Sequence, residues 1–383
     1  MKTPMDKTIL FLPRWFPNPE DPQLGVFIQK HAKAAALYNR VFVIYPFGIK
    51  QTNKYQVNTS QSGQLTTCTI WYKKSSIKLL NLFRYYKAYY LAKKALKLNW
   101  KLVDLCHVNI MAKPTLFSWY LKIRYGIGFL ITEQWSGYTN ASGKFSEKPI
   151  WVKQVWRFLA NQASGIITVS NFLQKAMISQ GIKGPYFTLP NVVELPQTAS
   201  PVKHQDEFTF LNVSDLIDDT KNISGLLRAY QQVRNEHPDT QLFIIGGGKD
   251  EDKLKAYCKT LGLSNYVKFF GRVPNEKVYA TMQTAHVVVI NSFFETFSVV
   301  AAEGLICGKP VIATDCGGPS EFINNNVGQL IPINNDDALV KAMKQVKTKY
   351  ALYNEKKLSD YAHEKFSYEA VGKQLNDIYK KLL

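Results

Sequence analysis

Short runs of β-branched and apolar residues, without polar alternation, recur along the whole chain and limit its fold more than any other feature. In the first half they are KTILFL (7–12), VFVIY (41–45), VDLCH (103–107), GFLIT (128–132), GIITVS (165–170) and YFTLP (186–190). In the second half they are FTFLNVS (208–214), QLFIIGGG (241–248), YVKFFG (266–271), HVVVINS (286–292) and PVIAT (310–314). A strand that is apolar on both sides must be covered on both faces, which parallel sheets flanked by helices achieve. Helical patterns such as FIQKHAKAAALY and SEKPIWVKQVWRFLANQ lie between the runs. Two series of βα units over 383 residues predict an α/β protein of two doubly wound, Rossmann-like domains. The polar stretch 195–207, with two prolines, is the expected linker between domains 1–195 and 196–365.

With 46% hydrophobic and 20% charged residues the chain has enough apolar content to fold, which excludes a disordered protein. No run of about 18 apolar residues is present to span a bilayer. The ILFL stretch before Pro13 is too short for a secretion-signal core. The five cysteines are scattered and lack CxxC spacing, so neither a disulfide framework nor a zinc site is expected, and a reducing cytoplasm is. The net charge of +19 is unevenly placed. Residues 1–195 carry 26 Lys and Arg against 7 Asp and Glu, while residues 196–383 carry 22 of each. Such a one-sided field bears on partners rather than on fold.

The segment NSFFETFSVVAAEGLICGKPVIATDCGGPSEFI (291–323) holds Glu295 and Glu303 with seven residues between them. A strand ending near Ile290 and a helix beginning near Ser298 put Glu295 at the carboxyl end of a strand, where open α/β sheets bind ligands. The first N–H groups of that helix offer a diphosphate an anion site. Glu303, about one and a half turns in, is placed to reach a ribose. On spacing alone, two solvated surface glutamates explain the pattern equally well. The whole segment, however, resembles the signature of the retaining glycosyltransferases of family four, which have the GT-B fold of two domains facing across a cleft and include enzymes of bacterial polysaccharide and lipopolysaccharide synthesis. Ser292, Glu295, Glu303, Cys307-Gly308-Lys309-Pro310-Val311, Thr314, Gly317, Gly318 and Glu321 fill its positions. The family often has glycine on either side of Phe297; here Thr296 and Ser298 stand there, with hydroxyls expected to cap the helix.

The resemblance implies a nucleotide-sugar donor as substrate, no further cofactor and no metal. It also implies transfer with retention to a glycan or lipid-linked acceptor. Glu295 would hold the sugar, and Thr296, Phe297, Ser298 and Glu303 would line the donor site. In LNVSDLIDDTKNISGLLRAY (211–230), Lys221 matches the lysine that contacts the donor diphosphate, though alone it also reads as a solvated helix-start lysine. The arginine that usually accompanies it falls on Asp215. Arg272 lies in GRVP, beside the expected nucleotide base, and Gly25 opens the first helix towards the donor phosphates. On the acceptor side the resemblance points to Gln134, where the family commonly has histidine, and to Glu133 and His107, each of which also reads as structural. Residues 366–383 resemble the helix that crosses back onto the first domain.

The stretch 71–100 is basic and aromatic, with Ile77, Leu80, Phe83 and Leu91 at roughly helical spacing. It reads either as a core-facing helix with a solvated basic face or as a patch, over 71–101, touching anionic lipid at the inner face of the cell membrane. Two rival functions compete with transfer. A nucleic-acid-binding protein accounts for the charge but leaves the Glu-x7-Glu block without purpose, and no nucleic-acid motif appears, so no such partner is expected. A sugar-nucleotide epimerase shares the fold but needs no acceptor.

Overall fold

The computed structural model describes residues 7–50, 55–195 and 206–383. Of the expected linker, residues 196–205 lie outside the described residues. The chain divides into two compact units, Met1–Val192 with Tyr368–Leu383, and Val193–Ser367.

The first unit is an eight-stranded sheet in the order β3-β4-β2-β1-β5-β6-β7-β8. Its strands are β1 (Thr8–Pro13), β2 (Arg40–Ile49), β3 (Gln56–Ser62), β4 (Leu65–Lys73), β5 (Leu105–Asn109), β6 (Gly128–Glu133), β7 (Gly165–Thr168) and β8 (Tyr186–Thr188). β1 is central, with Ile9 opposite Val41 of β2 on one side and Leu105 of β5 on the other. The strands are parallel except β3, which runs antiparallel to β4. The expectation of a wholly parallel sheet is therefore corrected at this edge. Every residue of β3 is exposed, so its sequence QVNTSQS carries no apolar pattern to announce it. The helix Tyr368–Leu382 packs on the helix Val26–Ala35, burying Val371, Leu375 and Tyr379 in the core of this unit.

The second unit is a six-stranded parallel sheet in the order β11-β10-β9-β12-β13-β14. Its strands are β9 (Phe208–Val213), β10 (Thr240–Ile245), β11 (Val267–Phe269), β12 (Val287–Ile290), β13 (Val311–Thr314) and β14 (Gly328–Ile331). Strands β9, β12 and β13 are almost wholly buried, as unalternating apolar runs require. Strand order reverses between β9 and β12 here, and between β1 and β5 in the first unit. At each reversal the loops leaving the carboxyl ends part in opposite directions and open a crevice.

Candidate functional site

The crevice of the second unit gathers the Glu-x7-Glu segment. After β12, Asn291 Nδ2 donates to the Asn222 carbonyl (3.0 Å) and the Phe293 amide to the Thr220 carbonyl (2.9 Å). These bonds tie this loop to the one that follows β9. The Glu295 amide donates to the Cys316 carbonyl (3.1 Å), and the Gly318 amide to the Glu295 carbonyl (2.9 Å). A Cβ on Gly318 would lie 2.4 Å from the Phe297 Cα, so only glycine lets the two loops meet this closely. The GG turn is therefore a backing plate for Glu295.

Glu295 accepts from Lys221 Nζ (2.5 Å) and from Ser292 Oγ (2.8 Å). Lys221 ends the short helix Asp218–Lys221, and the left-handed Asn222 then caps the helix Ile223–Glu236 through Oδ1. The two strands at the sheet's reversal thus supply the lysine and the carboxylate of one ion pair, about four-fifths buried on both sides. Asp215 holds the position the resemblance gives to arginine, and it accepts from Arg272 (3.0 Å), which leaves the loop after β11. A second cation is thus present, delivered from a different strand.

Glu303 is buried in the helix Val299–Ile306 and accepts from Tyr279 Oη (3.0 Å). The expectation of a side-chain cap in the loop before that helix is corrected. Ser298 makes no side-chain cap; its backbone is left-handed at φ +71°, the conformation that glycine adopts most easily. Phe297 is buried, with its ring packed against Phe322 and Phe366. Thr296 is half-buried beside it. Lys309, equally part of the motif, is buried and pairs with Glu355 (2.8 Å); burial lowers its pKa while that carboxylate opposes the shift. It braces the unit and stands apart from the Lys221 cluster.

In the first unit Gly25 adopts φ +69° at the start of the helix Val26–Ala35, and a Cβ there would lie 2.5 Å from the Trp15 carbonyl. The residues expected on the acceptor side lie in the same unit. His107 is wholly buried, with Nδ1 on Tyr379 Oη and Nε2 on Thr132 Oγ1, both at 2.6 Å. Burial, and then the neighbouring His31, holds it neutral well below the usual histidine range. It is a satisfied core histidine. Glu133 is equally buried and accepts from the amides of Met111, Gln134 and Trp135 and from Tyr138 Oη, so it fastens two loops together. Burial raises its pKa, and the three amides and Arg14 oppose the rise. Gln134 is buried beside it, its Nε2 without a partner.

The sequence reading left Tyr279 and Ser292 out of the site. Ser292 stood in the motif, and its distance of three residues before Glu295 was the available signal. Tyr279 carried none, because its pairing with Glu303 spans two helices. Among the described residues no cluster of His, Cys, Asp or Glu suited to a metal is found.

Two doubly wound α/β units, one with a paired lysine and glutamate at its sheet reversal, define the GT-B class of glycosyltransferase folds. Residues 196–365 match the model of the family described as Glycosyl transferases group 1. An uncharacterized glycosyltransferase of Methanocaldococcus jannaschii is 31% identical over 166 residues, covering 42% of each chain. The chain thus spans about two-fifths of the length of the curated relatives it matches. Across the whole chain the fold is shared with sucrose-phosphate synthase of Thermosynechococcus elongatus, at TM-score 0.76 and 20% identity over 98% of this chain and 99% of that one. Anabaena HepE in complex with UDP and glucose gives TM-score 0.69 at 18% identity, covering 98% and 100%.

Proposed function

We propose that this protein is a glycosyltransferase that moves a sugar from a nucleotide-sugar donor to a glycan or lipid-linked acceptor, with retention of configuration and without a divalent metal. The observation that carries the reading is the Lys221–Glu295 pair at the reversal of the second sheet, backed by Ser292 and the GG turn. In this reading the bond between the anomeric carbon and the diphosphate oxygen breaks. The acceptor hydroxyl forms the new bond on the same face and gives up its proton to the departing diphosphate. Lys221, Arg272 and the amides opening the helix Val299–Ile306 offset the leaving group's charge, the task a metal ion would otherwise perform. Glu295, held by Lys221 and Ser292, accepts from sugar hydroxyls without bonding covalently to the sugar. Glu303 with Tyr279 takes the ribose. Domain roles follow, with the donor assigned to 196–365 and the acceptor to 1–195.

The likeness to the complex with UDP and glucose supports a nucleotide-sugar donor of this general kind. The test is a screen of UDP-, GDP- and ADP-sugars for donor hydrolysis and transfer in excess EDTA. One donor releases nucleoside diphosphate, and the product keeps the anomeric configuration. Release by none, or activity restored only by magnesium or manganese, overturns the assignment. A changed sugar released without any acceptor requirement identifies an epimerase instead.

We further propose that the stretch 71–101 rests against anionic membrane. The helix Lys78–Ala95 turns Tyr85, Ala88, Tyr89 and Ala92 to the core. Ile77, Leu79 and Phe83 are exposed beside Lys73, Lys74 and Lys78. Among the described residues no helix is long and apolar enough to cross a membrane.

A further inference from the structure

The first unit has a crevice of its own. Its strand order reverses between β1 and β5, and a cavity of about 700 Å³ opens there. Arg14 follows β1, Lys113 follows β5, and Lys148 precedes the helix Ile150–Gln162; all three line the cavity. Each cation lies over an aromatic face that also lines it: Arg14 over Trp15 (5.3 Å), Lys113 over Tyr85 (5.4 Å) and Lys148 over Trp156 (5.5 Å). Among the described residues none of the three is ion-paired, and no Asp or Glu lines the cavity. Glu133, which feels the charge of Arg14, is buried and accepts from three backbone amides. Cations parked on ring faces keep their charge available to an incoming anion, because the ring does not neutralise them.

The rim is of opposite character. The helix Ile150–Gln162 buries only Leu159 and Ala160, although it is thirteen residues long. Trp151 and Val155 line the cavity mouth and stand exposed, and Phe158 continues the same stripe outward at the spacing of one helix face. Leu116, from the helix Lys113–Tyr125, faces the mouth from the other element and is exposed as well. Three unpaired cations and an exposed apolar stripe around one cavity fit one kind of molecule. A free anion leaves the stripe in water, and a neutral lipid leaves three cations unmatched.

We propose that this cavity binds the acceptor, and that the acceptor joins a phosphate or diphosphate to an apolar chain. The anion lies on Arg14, Lys113 and Lys148, and the chain leaves over Trp151 and Val155. The proposal rests on the transferase reading only in calling the ligand an acceptor. Binding itself is tested without any donor.

The protein is titrated with farnesyl diphosphate, with farnesol and with inorganic diphosphate, following the fluorescence of Trp15, Trp151 and Trp156. Farnesyl diphosphate should bind roughly tenfold or more tightly than either part, since it alone meets both surfaces. Replacing Arg14→Gln, Lys113→Gln and Lys148→Gln together should weaken it by roughly a hundredfold, as charge-assisted hydrogen bonds are lost. Trp151→Ala should weaken farnesyl diphosphate by roughly threefold to tenfold and leave inorganic diphosphate unaffected. Arg14 and Lys113 are exposed and Lys148 is half-buried, so these variants fold, and UDP binding followed by thermal shift is the control for the second unit. Equal binding of inorganic diphosphate points to a free anion and overturns the proposal. Equal binding of farnesol, or wild-type affinity in the triple variant, overturns it too. A wild-type protein that binds farnesyl diphosphate but no nucleotide keeps the cavity assignment and removes the transferase reading.

Discussion

At Glu295 and Lys221 each side chain is the other's counter-charge, and neither is well solvated. Removing Glu295 takes away an acceptor that matters most when the sugar carries positive charge, so Glu295→Ala should lower turnover by about 10²–10³ with a smaller change in donor KM. Glu303→Ala should act on affinity instead, weakening donor binding by about 1–3 kcal/mol because a ribose hydroxyl is then left unpaired in a buried site. Steady-state kinetics of the two variants separate these outcomes, and parallel behaviour would remove the division of roles. Ser298 gives a third prediction. Its φ of +71° is accessible to glycine and hostile to a β-branched side chain. Ser298→Gly should leave thermal stability close to the parent, whereas Ser298→Val should cost about 1–3 kcal/mol in the melting of the second unit. Equal stability of the two variants would show that the backbone there relaxes.

Elements differ in how far a sequence betrays them. Buried central strands such as β1, β9 and β12 are legible because both faces are apolar, and the unalternating run is itself the signal. β3 is not, since an exposed edge strand of polar residues looks like any loop until its partner β4 is known. The Glu-x7-Glu segment was legible as a motif, but its mechanics were not. That Phe297 would be sealed between Phe322 and Phe366, or that Arg272 would reach Asp215, depends on loops far apart in the chain. The histidines show the same limit. His107 closes an apolar run in the sequence, yet it lies within β5, and the helix Tyr368–Leu382 closes over it with Tyr379. His31, on the helix beneath, is held by burial to a pKa of about 4 against an ordinary 6.5, its bond to the Pro190 carbonyl only partly offsetting this. A histidine depressed in the folded state stays neutral there while the unfolded chain takes up a proton. Its contribution to stability is therefore complete above pH 6.5 and is lost as pH falls towards about 4. Between pH 7.5 and 5 the first unit should lose on the order of 2 kcal/mol through His31 alone. Melting of the parent and of His31→Gln at the two pH values checks this, and an unchanged pH dependence in the variant would refute it.

For the molecule as a whole the decisive quantity is the placement of charge. The surplus of 19 positive charges lies in residues 1–195, and no acid occurs between Asp21 and Asp104 while 14 lysines and arginines do. Within that span the helix Lys78–Ala95 and its lead-in carry exposed Ile77, Leu79 and Phe83 among basic residues. Several of those basic residues are not simply free charges: Arg84 donates to the Lys73 carbonyl (2.6 Å), and Lys87, Lys93 and Lys94 lie over the Tyr55, Trp100 and Tyr90 rings. Each basic side chain near an anionic surface contributes on the order of 1 kcal/mol, so a handful suffices for reversible attachment. Apolar insertion adds a part that salt does not screen, at about 25 cal/mol per Å² buried. The two parts predict different responses. Liposomes rich in anionic lipid should co-sediment the protein at low salt, and binding should fall as the Debye length shortens below about 10 Å. Changing Lys73, Lys74, Arg84, Lys87, Lys93 and Lys94 to Gln should remove most of the salt-sensitive part. Changing Leu79 and Phe83 to Ser should lower what remains at high salt. Indifference of the parent to anionic liposomes at low salt would make the stretch a solvated face, and equal binding by the six-Gln variant would place the attraction elsewhere in the basic half.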